Sequence, residues 1–512
     1  MKLNNLITAL IAGGTTFNIT AAATPITNTV VSDTLATDMV SISTPLLSRD
    51  SIFAFNDPRM TRKRPWKAAL EAVGMNVGVW AFDRYVMNED FAKINFKTIG
   101  DNITNGLVWD NDQFSTNLFA HPYHGSLYFN SARTNGLNFW ESAPYAFGGS
   151  LMWEMVAEIE PPAINDLLAT TFGGIALGEM TYRLSALVLD DSKRGFPRFA
   201  REFLGTLICP VRGLNRMISG DMWKVKHKYY KYHDYERIPV DFTISVGTRY
   251  LAADNYLFRG EYNPYIDFRF QYGDAFDTDS SQPYDYFTAR ASVGLSPNQP
   301  LISQINLLGK LWGTTTTTRS GMEVLFGIFQ HFNYYDSEEV IDGSGRIPYK
   351  ISETTSFGPG VIYKFPKVNK MVDLEQRLFL SGILLGGSLT DYYHVIDRNY
   401  NMGSGYSLKN NTIIDFNKYG LFALNVNLYH IFSWKGYSEE DLEDSNPLYL
   451  NAQGDKGNAL LAVVNPIIEI NLNEHFRVNL EASYYYRRTH YTRHIDVKSK
   501  TFETKLGIAY HF

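Results

Sequence analysis

The chain has 512 residues, of which 45% are hydrophobic, 14% aromatic and 20% charged, with 39 glycines, 20 prolines and one cysteine. This composition excludes a disordered chain, a collagen-like repeat and a disulfide scaffold. The formal net charge of -6 gives no reason to expect nucleic-acid binding. After the extreme N-terminus no segment reaches the ~18 consecutive apolar residues of a lipid-spanning helix, so a helical membrane protein is not indicated.

The N-terminus has the features of a secretory signal peptide. Lys2 precedes an apolar stretch over residues 6–12, and three alanines end the segment at residues 21–23. This pattern predicts a signal peptide over residues 1–23 with cleavage after Ala23; the alternative is a disordered cytosolic N-terminus. Residues 24–57 are rich in Thr, Ser, Asp, Val and Pro without a stable period, and they predict a flexible linker.

Residues 58–232 carry helical patterns and predict a helical domain, either periplasmic or plugging a barrel. The principal helices are expected over residues 66–87, 141–158 and 164–189. Pro161 and Pro162 turn the chain between the last two helices, which form a hairpin. Gly174 and Gly178 lie one turn apart in the second hairpin helix, so a partner backbone can approach closely.

Acidic and imidazole side chains within this domain are candidates for chemistry. The candidate catalytic residues are His121, His124, Glu154, Glu158, Asp166 and Glu179. In a functional interpretation, the two histidines come from a loop before the hairpin and meet the carboxylates in a metal or acid-base site. The His-x-x-His spacing encloses a proline and is not that of a helical metal pair, so we predict neither a metal site nor a cofactor.

A structural interpretation of the same residues is favoured. Glu179 lies one turn before Arg183 and is expected to pair with it. Asp166 is expected to cap the second hairpin helix, and one of the two glutamates of the first helix is expected to meet Arg133.

Residues 193–231 contain ten lysines and arginines against two acidic residues. Apolar residues recur there at every third or fourth position, which predicts a basic amphipathic helix. Such a helix suits the anionic headgroups of a membrane; the alternative is a helix on the barrel rim with a solvated basic face. The arginines expected at the membrane surface are Arg198, Arg201, Arg212 and Arg216.

Residues 237–512 predict a transmembrane antiparallel β-barrel of about 12 strands, within a range of 10 to 14, preceded by the α-helical domain. Apolar or aromatic residues alternate with small or polar ones over roughly ten residues per segment, which is longer than soluble strands usually are. The strands are expected near 238–250, 259–272, 283–295, 301–313, 319–335, 353–364, 374–387, 404–415, 419–434, 458–471, 475–491 and 499–512.

The C-terminal strand ends in Phe512 and resembles the last strand of Gram-negative outer-membrane barrels, which the barrel assembly machinery reads. A periplasmic C-terminus makes the acid-rich connection 435–457 an external loop and places the helical domain on the periplasmic side. One pair of connections fits poorly, because 296–300 is short where an external loop is expected. Tyrosines near strand ends, including Tyr334, Tyr335 and residues 484–486, predict an aromatic girdle, with carbohydrate stacking as the alternative.

Residues 102–189 resemble the uncharacterised domain-of-unknown-function 3943 family of envelope proteins. The resemblance rests on His121-Pro-Tyr-His-Gly125, Asn130-Ser-Ala-Arg133, Glu141-Ser142, Gly149-Ser-Leu-Met-Trp-Glu154, Glu158, Pro161-Pro-Ala-Ile-Asn-Asp166, Gly173-Gly174 and Gly178-Glu179. It implies an outer-membrane setting and supplies no activity or catalytic residues.

Three functions are compatible with these features. The preferred one is a barrel whose helical domain closes or plugs its periplasmic side, in transport or envelope organisation, with outer-membrane lipids as partners and an unidentified ligand. The alternatives are a lipid- or envelope-modifying enzyme using a His/carboxylate site, and a structural protein whose helical part docks a partner. Transport is supported by cations expected to face the lumen, namely Arg249, Arg269, Arg290, Lys310 and Arg377.

Overall fold

A computed structural model of the protein describes residues 63–109, 112–225, 239–277, 282–341, 345–366, 372–392, 398–436 and 454–512. The signal peptide expected over 1–23 and the linker expected over 24–57 lie outside these residues. Most of the acid-rich connection 435–457 and Lys226, Lys228 and Lys231 of the basic segment also lie outside them. Within the described residues, eight α-helices precede twelve β-strands.

The helices are α1 (Pro65–Phe82), α2 (Phe96–Asn105), α3 (His121–Arg133), α4 (Phe139–Val156), α5 (Ile164–Leu168), α6 (Gly174–Val188), α7 (Gly195–Ile208) and α8 (Pro210–Ile218). Three π-helical turns, Asp83–Met87, Thr116–Ala120 and Ala169–Gly173, extend α1, precede α3 and join α5 to α6. None of the described helices is both long and apolar enough to cross a membrane.

Local sequence explains where the helices begin. Asn95 and Asn138 start α2 and α4 with reciprocal capping boxes, in which the asparagine side chain accepts a backbone N–H of the first turn. Pro122 occupies the first turn of α3, where no backbone N–H is required. The two predicted site histidines therefore lie on a helix, and the expectation that they lie on a loop is wrong. Pro210 likewise divides the single amphipathic helix expected after residue 193 into α7 and α8.

Helices α3 and α6 approach each other through glycines. A Cβ atom added to Gly125 would lie 1.7 Å from the carbonyl oxygen of Thr170, and one added to Gly174 would lie 2.5 Å from the carbonyl carbon of Gly125. A Cβ atom on Gly178 would lie 2.7 Å from the Phe129 ring. The close packing expected at Gly174 and Gly178 is therefore present, and the partner helix is α3.

The strands are β1 (Val240–Ala253), β2 (Tyr256–Tyr272), β3 (Phe287–Gly294), β4 (Ile302–Thr317), β5 (Glu323–Asp336), β6 (Lys350–Lys364), β7 (Asp373–Leu389), β8 (Tyr400–Asp415), β9 (Gly420–Ser433), β10 (Gly457–Asn471), β11 (Phe476–Tyr491) and β12 (Val497–His511). Each strand pairs antiparallel with its neighbours in sequence, and β1 pairs with β12 to close the barrel. The prediction of a twelve-stranded antiparallel barrel after a helical domain is confirmed. β3 is shorter than expected because it begins at Phe287 instead of residue 283.

Alternate side chains of each strand face the lumen or the outside. Inward residues pair across the lumen, as Arg290 of β3 does with Glu481 of β11 at 2.6 Å. Outward residues are mainly apolar, and many are exposed, including Val246, Phe326 and Leu506. An apolar outer wall with a charged, paired interior is the pattern of a barrel that stands in lipid.

The helical domain packs against the outer wall of the barrel. On β5, Asn333 faces the lumen, where its amide donates to Glu353, so the adjacent Phe332 and Tyr334 face outward. Both are nevertheless fully buried, because helical residues cover them; the Phe114 ring stacks on Tyr334 with centroids 5.2 Å apart. One hydrophobic cluster thus joins the helices to the outward faces of β3 to β8. The expectation that this domain plugs the barrel is wrong for the described residues.

The contacts run along the wall from one end of the barrel to the other. At the end with the β2–β3 and β4–β5 connections, here called the turn end, Arg183 Nη2 donates to the carbonyl oxygen of Pro283 at 2.8 Å. At the opposite end, here called the loop end, Asn117 Nδ2 donates to the Tyr400 hydroxyl at 2.7 Å, and Trp109 contacts Trp434. The domain is fixed to the barrel, as expected, but it is not confined to one end.

The glycine crossing generates a prediction about stability. We expect Gly125→Ala to lower the melting temperature of the detergent-solubilised protein, because the new methyl group must separate α3 from the carbonyl of Thr170; overpacking of this kind costs about 1–3 kcal/mol. Gly78→Ala in α1 is the matched control, since nothing lies within 4 Å of its Cβ position. It should leave the melting temperature unchanged or raise it. Equal melting temperatures for Gly125→Ala and wild type would contradict this packing.

Candidate functional site

Five of the six candidate catalytic residues lie in one neighbourhood, in which Tyr128 contacts His124 and lies near Glu154 and Glu158; Glu179 forms a cluster of its own. His121 lies with Asp166, His124 lies with Tyr128, and Glu179 lies with two arginines. In the described part of the chain, no group of three or more His, Cys, Asp or Glu side chains could hold a metal ion.

His121 and Asp166 form the group with the most potential for acid-base chemistry. His121 Nε2 lies 3.4 Å from Asp166 Oδ1, and its Nδ1 lies 3.3 Å from the hydroxyl of Thr170. A hydroxyl, an imidazole and a carboxylate in this order resemble a catalytic triad in composition. Both distances exceed the roughly 2.6–3.2 Å reach of proton transfer, and Thr170 is only 2% exposed. The group is better explained as packing between α3 and α5.

Asp166 does not cap the second hairpin helix. The N-cap of α5 is Ala163, which has no capping side chain, and Asp166 lies inside the first turn. Its Oδ1 accepts a hydrogen bond from Asn165 Nδ2 at 2.8 Å. The expected capping role is therefore wrong, because the helix begins two residues before the carboxylate.

His124 is held as a neutral ring. Its Nε2 lies 2.8 Å from the hydroxyl oxygen of Tyr128, whose one proton is donated to Asn76 Oδ1, and its ring meets Trp153 edge-on. Burial, with a smaller contribution from His121, lowers the pKa of His124 to about 3. At neutral pH this imidazole is therefore uncharged and cannot act as a general acid.

Glu154 and Glu158 brace the turn of the helical hairpin. The Glu154 carboxylate accepts the backbone N–H of Ala163 at 2.8 Å, and the Glu158 carboxylate accepts the indole N–H of Trp153 at 3.2 Å. The first bond ties the end of α4 to the start of α5, and the second holds the residues that follow α4 against Trp153.

Glu179 is the centre of a buried ion-pair cluster. Arg133 donates to both carboxylate oxygens, from Nε at 2.7 Å and from Nη2 at 3.0 Å, and Arg183 Nε donates at 2.8 Å. Burial alone would raise the pKa of Glu179, but the two guanidinium groups outweigh it and lower the pKa below its ordinary value. The contact with Arg183 is the expected one. The expectation that Arg133 meets Glu154 or Glu158 is wrong, because Arg133 completes the Glu179 cluster.

The arginines expected at a membrane surface are directed into the helical domain. Arg198 and Arg216 are buried, and both contact the carboxylate of Glu202, at 2.8 and 2.7 Å. Arg216 also contacts Asp191 at 2.5 Å. These two guanidinium groups form a second buried ion-pair cluster instead of an exposed basic face.

The remaining two arginines of that set are also engaged. Arg212 is buried with its guanidinium carbon 4.0 Å from the ring centroid of Tyr182, a cation-π arrangement. Arg201 Nη1 donates to the carbonyl oxygen of Val188 at 2.9 Å. The expected basic surface is therefore wrong for Arg198, Arg212 and Arg216. An amphipathic pattern identifies two faces of a helix but not which of them is buried.

The barrel lumen contains two cavities in line. One of about 940 Å³ opens at the loop end between Asp391, Arg346 and Arg487. The other, of about 310 Å³, is lined by Arg290, Asn465 and further inward residues of the strands. Along β11 the inward side chains pass from the second cavity to the first.

Three tyrosines separate these cavities, and we call them the aromatic septum: Tyr335, Tyr349 and Tyr485. On β11, Ser483 lines the inner cavity, Tyr485 belongs to the septum and Arg487 lines the outer cavity. The rings of Tyr349 and Tyr485 stack with centroids 4.0 Å apart, and Tyr335 meets Tyr485 edge-on. The septum is the aromatic part of a larger buried hydrophobic cluster between the two cavities, which also includes Leu251, Ile351, Ile383 and Leu461.

The septum was not identified from the sequence. Residues 484–486 are three consecutive tyrosines, and their position near a strand end indicated a girdle. Only the inward position of Tyr485 distinguishes it from its exposed neighbour Tyr484. Its partner Tyr349 lies in the connection between β5 and β6, where no alternating pattern applies.

The cations expected in the lumen are there. Arg290 contacts Asp267 at 2.7 Å, Arg249 lies 3.4 Å from Glu503, and Lys310 lies 2.9 Å from Asp285. Each positive charge has a carboxylate partner, so the wall carries fixed and compensated charge. Such a lumen favours polar contents without a strong preference for one sign.

Comparison with known proteins gives a family match for part of the chain. A family described as Domain of unknown function (DUF3943) matches residues 106–211, which confirms the resemblance seen in the sequence. The matched segment runs from the end of α2 to the start of α8, and it contains all six candidate residues. No match is found among curated proteins.

Several solved barrels are similar to this chain over about half its length. The NanC porin is 9% identical, with 52% of this chain and 98% of that chain covered, at a TM-score of 0.27. The outer membrane channel DcaP of Acinetobacter baumannii is 10% identical, covering 54% and 97%, at 0.21. The translocator domain of the autotransporter NalP from Neisseria meningitidis is 9% identical, covering 53% and 88%, at 0.21. Scores of this size carry no argument about function.

The Glu179 cluster generates a prediction about stability. Removing one member of a buried ion pair costs about 3–5 kcal/mol, so Glu179→Gln and Arg183→Met should each lower the free energy of unfolding by that order. The double substitution should recover only part of the loss, because Arg133 still lacks its carboxylate. The stabilisation is present above the ordinary glutamate pKa of about 4.3 and is lost as the pH falls through the lowered pKa.

Denaturant unfolding in detergent at pH 7 and at acidic pH measures these effects. Lys63→Met is the control, because its pair with Glu141 is exposed and should contribute less than about 1 kcal/mol. Unchanged stability of Glu179→Gln together with loss of the protein's cellular role would contradict the structural assignment and favour catalysis.

Proposed function

We propose that the protein is an outer-membrane barrel that provides a gated route for small polar solutes, and that the lumen is closed in the state described here. The observation that carries the proposal is the pair of cavities in line, separated by a buried hydrophobic cluster that contains the stacked tyrosines of the septum. A solid barrel interior would need no such cavities, and an open pore would have no septum.

An outer-membrane location accounts for the apolar outer wall. Exposed apolar side chains lie on the outward faces of β9 to β12 and β1, including Leu428, Leu460, Leu480, Leu506 and Val246. The parity of the strands and the terminal Phe512 favour the loop end outside and the turn end in the periplasm, after export and insertion by the barrel assembly machinery.

Cysteine labelling in intact cells tests this orientation. The native Cys209 is fully buried and gives little background. Ile495→Cys, in the β11–β12 connection at the loop end, should react with a membrane-impermeant maleimide in intact cells. Leu472→Cys, in the β10–β11 turn, is also at an exposed position and should react only after the envelope is permeabilised. The reverse pattern would overturn the orientation, and labelling of both only after permeabilisation would overturn the surface exposure of the loop end.

The position of Tyr349 allows the septum to act as a gate. Tyr349 belongs to the connection that leads into β6 and makes no ladder pair of its own. The backbone N–H of Tyr349 donates to the hydroxyl of Ser337 at 3.0 Å, and the phenol hydroxyl of Tyr349 donates to the carboxylate of Glu503 at 2.7 Å. The ring can therefore leave the lumen without breaking strand pairing, while Tyr485 stays on β11.

Conductance across planar lipid bilayers tests the gate. The wild-type protein should show low and infrequent conductance, and Tyr349→Ala combined with Tyr485→Ala should raise it several-fold by joining the two cavities. Tyr484→Ala is the matched control, because this neighbouring tyrosine faces outward and should leave the conductance unchanged. A double variant that folds and stays as closed as the wild type would show that the septum is not the barrier.

A lipid-modifying enzyme with a site in the helical domain is less well supported. Of its candidate residues, Glu179 is held in an ion-pair cluster and His124 contacts Tyr128, whereas His121 and Asp166, 3.4 Å apart, have the composition of an acid-base pair. An organising role in the envelope is compatible with transport, since the barrel also carries a firmly docked helical domain.

A further inference from the structure

The last two helices of the helical domain, α7 and α8, bury their charged residues and expose their apolar ones. Their charged residues Arg198, Glu202 and Arg216 are buried and paired. Their aromatic and aliphatic residues are directed away from the domain, and Phe199 is 62% exposed. The exposed apolar residues of α7 and α8 include Phe196, Phe199, Phe203, Leu207, Met217 and Ile218. A helix surrounded by water would show the opposite arrangement.

Helix α1 has the same property. Its residues Ala68, Ala72 and Asn76 are buried, and Asn76 Nδ2 donates to the carbonyl oxygen of Gly149 in α4 at 3.0 Å. The opposite side is an apolar stripe at spacings of three and four, and Trp66 at its start is 83% exposed. The stripe consists of Trp66, Leu70, Val73 and Val77. We call the exposed apolar residues of α1, α7 and α8 together the outer apolar face.

The barrel wall beside these helices shows what surrounds them. On β5 the outward residues Phe332 and Tyr334 are covered by the helical domain, whereas Phe326 and Ile328 on the same face are exposed. On β4 the covered Leu307 is followed by Trp312, which is 53% exposed. A wall of this composition faces acyl chains. Lipid therefore reaches the edge of the helical domain on the strands that hold it.

From these observations we propose that the helical domain lies at the depth of the bilayer beside β3 to β8, with its outer apolar face in contact with the acyl chains of the membrane. The face adjoins the lipid-facing wall, and charges turned inward into ion pairs are the arrangement that a low-dielectric surrounding requires. We assign lipid, and not a protein partner, to the outer apolar face, because acyl chains already cover the exposed parts of β4 and β5 beside it.

Tryptophan quenching by brominated lipid tests this proposal. The chain has eight tryptophans, and four variants each retain one of them while phenylalanine replaces the rest. Trp66 and Trp223 report on the helical domain, Trp312 is the positive control on the barrel wall, and Trp153, only 7% exposed, is the buried control. The full-length proteins are reconstituted into vesicles of phosphatidylcholine with brominated acyl chains.

We expect brominated lipid to quench Trp66 and Trp223 to an extent comparable with Trp312, and to quench Trp153 much less. Iodide in the aqueous phase should have little effect on Trp66. Strong quenching of Trp66 by iodide without quenching by bromine would put the face in water and overturn the proposal. Resistance of Trp66 to both quenchers would show that protein covers the face, which would also overturn it.

A second measurement does not depend on replacing tryptophans. A spin label at Phe199→Cys should be more accessible to oxygen than to a water-soluble nickel chelate, and a label at the exposed loop-end residue Ile495→Cys should show the reverse. Equal behaviour of the two sites would contradict the proposal. Both measurements are independent of solute passage, so they can fail while the conductance prediction holds, and the conductance prediction can fail while they hold.

Discussion

The outward face of strands β3 to β8 is the surface on which the rest of the structure depends. Every apolar side chain there has to be removed from water, either by lipid or by protein, at roughly 25 cal/mol per Å² of apolar area. The part of β5 nearer the loop end is covered by helices, and the part nearer the turn end is exposed. Protein therefore covers one part of this strand, and lipid covers the other. This requirement determines where the helical domain lies. It also explains why the buried arginines of the domain are paired, since a charge beside such a wall needs a carboxylate partner.

The strands could be predicted because a barrel in lipid imposes alternation over long segments, and twelve were expected where twelve are found. Alternation defines two faces but does not say which face receives another domain, and the helices were therefore expected inside the lumen or at its end. The same limit applies to α7 and α8. The apolar and basic faces predicted for this segment exist, but Arg198 and Arg216 lie on the buried face, whereas an exposed basic face was expected. The close crossing at Gly174 was predictable because only small residues permit it.

Predictions for individual side chains succeeded where the partner was near in sequence. Glu179 and Arg183 are one turn apart, and their contact followed from helix geometry. Arg133 joins them from a different helix, and Tyr349 meets Tyr485 from a distant connection, so neither contact was visible in a local pattern. Resemblance to a family identified the segment that carries the candidate residues but assigned none of them a role.

The helical domain and the aromatic septum meet on the same stretch of β5. Phe332 and Tyr334 face outward into the hydrophobic cluster that holds the helices, while Tyr335, the next residue, faces inward and contacts Tyr485. Successive residues of one strand cannot move independently, because the ladder to β4 and β6 fixes the backbone between them. A displacement of the helices large enough to shift this part of β5 would therefore also shift Tyr335 in the lumen. A helical domain on the outer wall can thus influence the lumen without entering it.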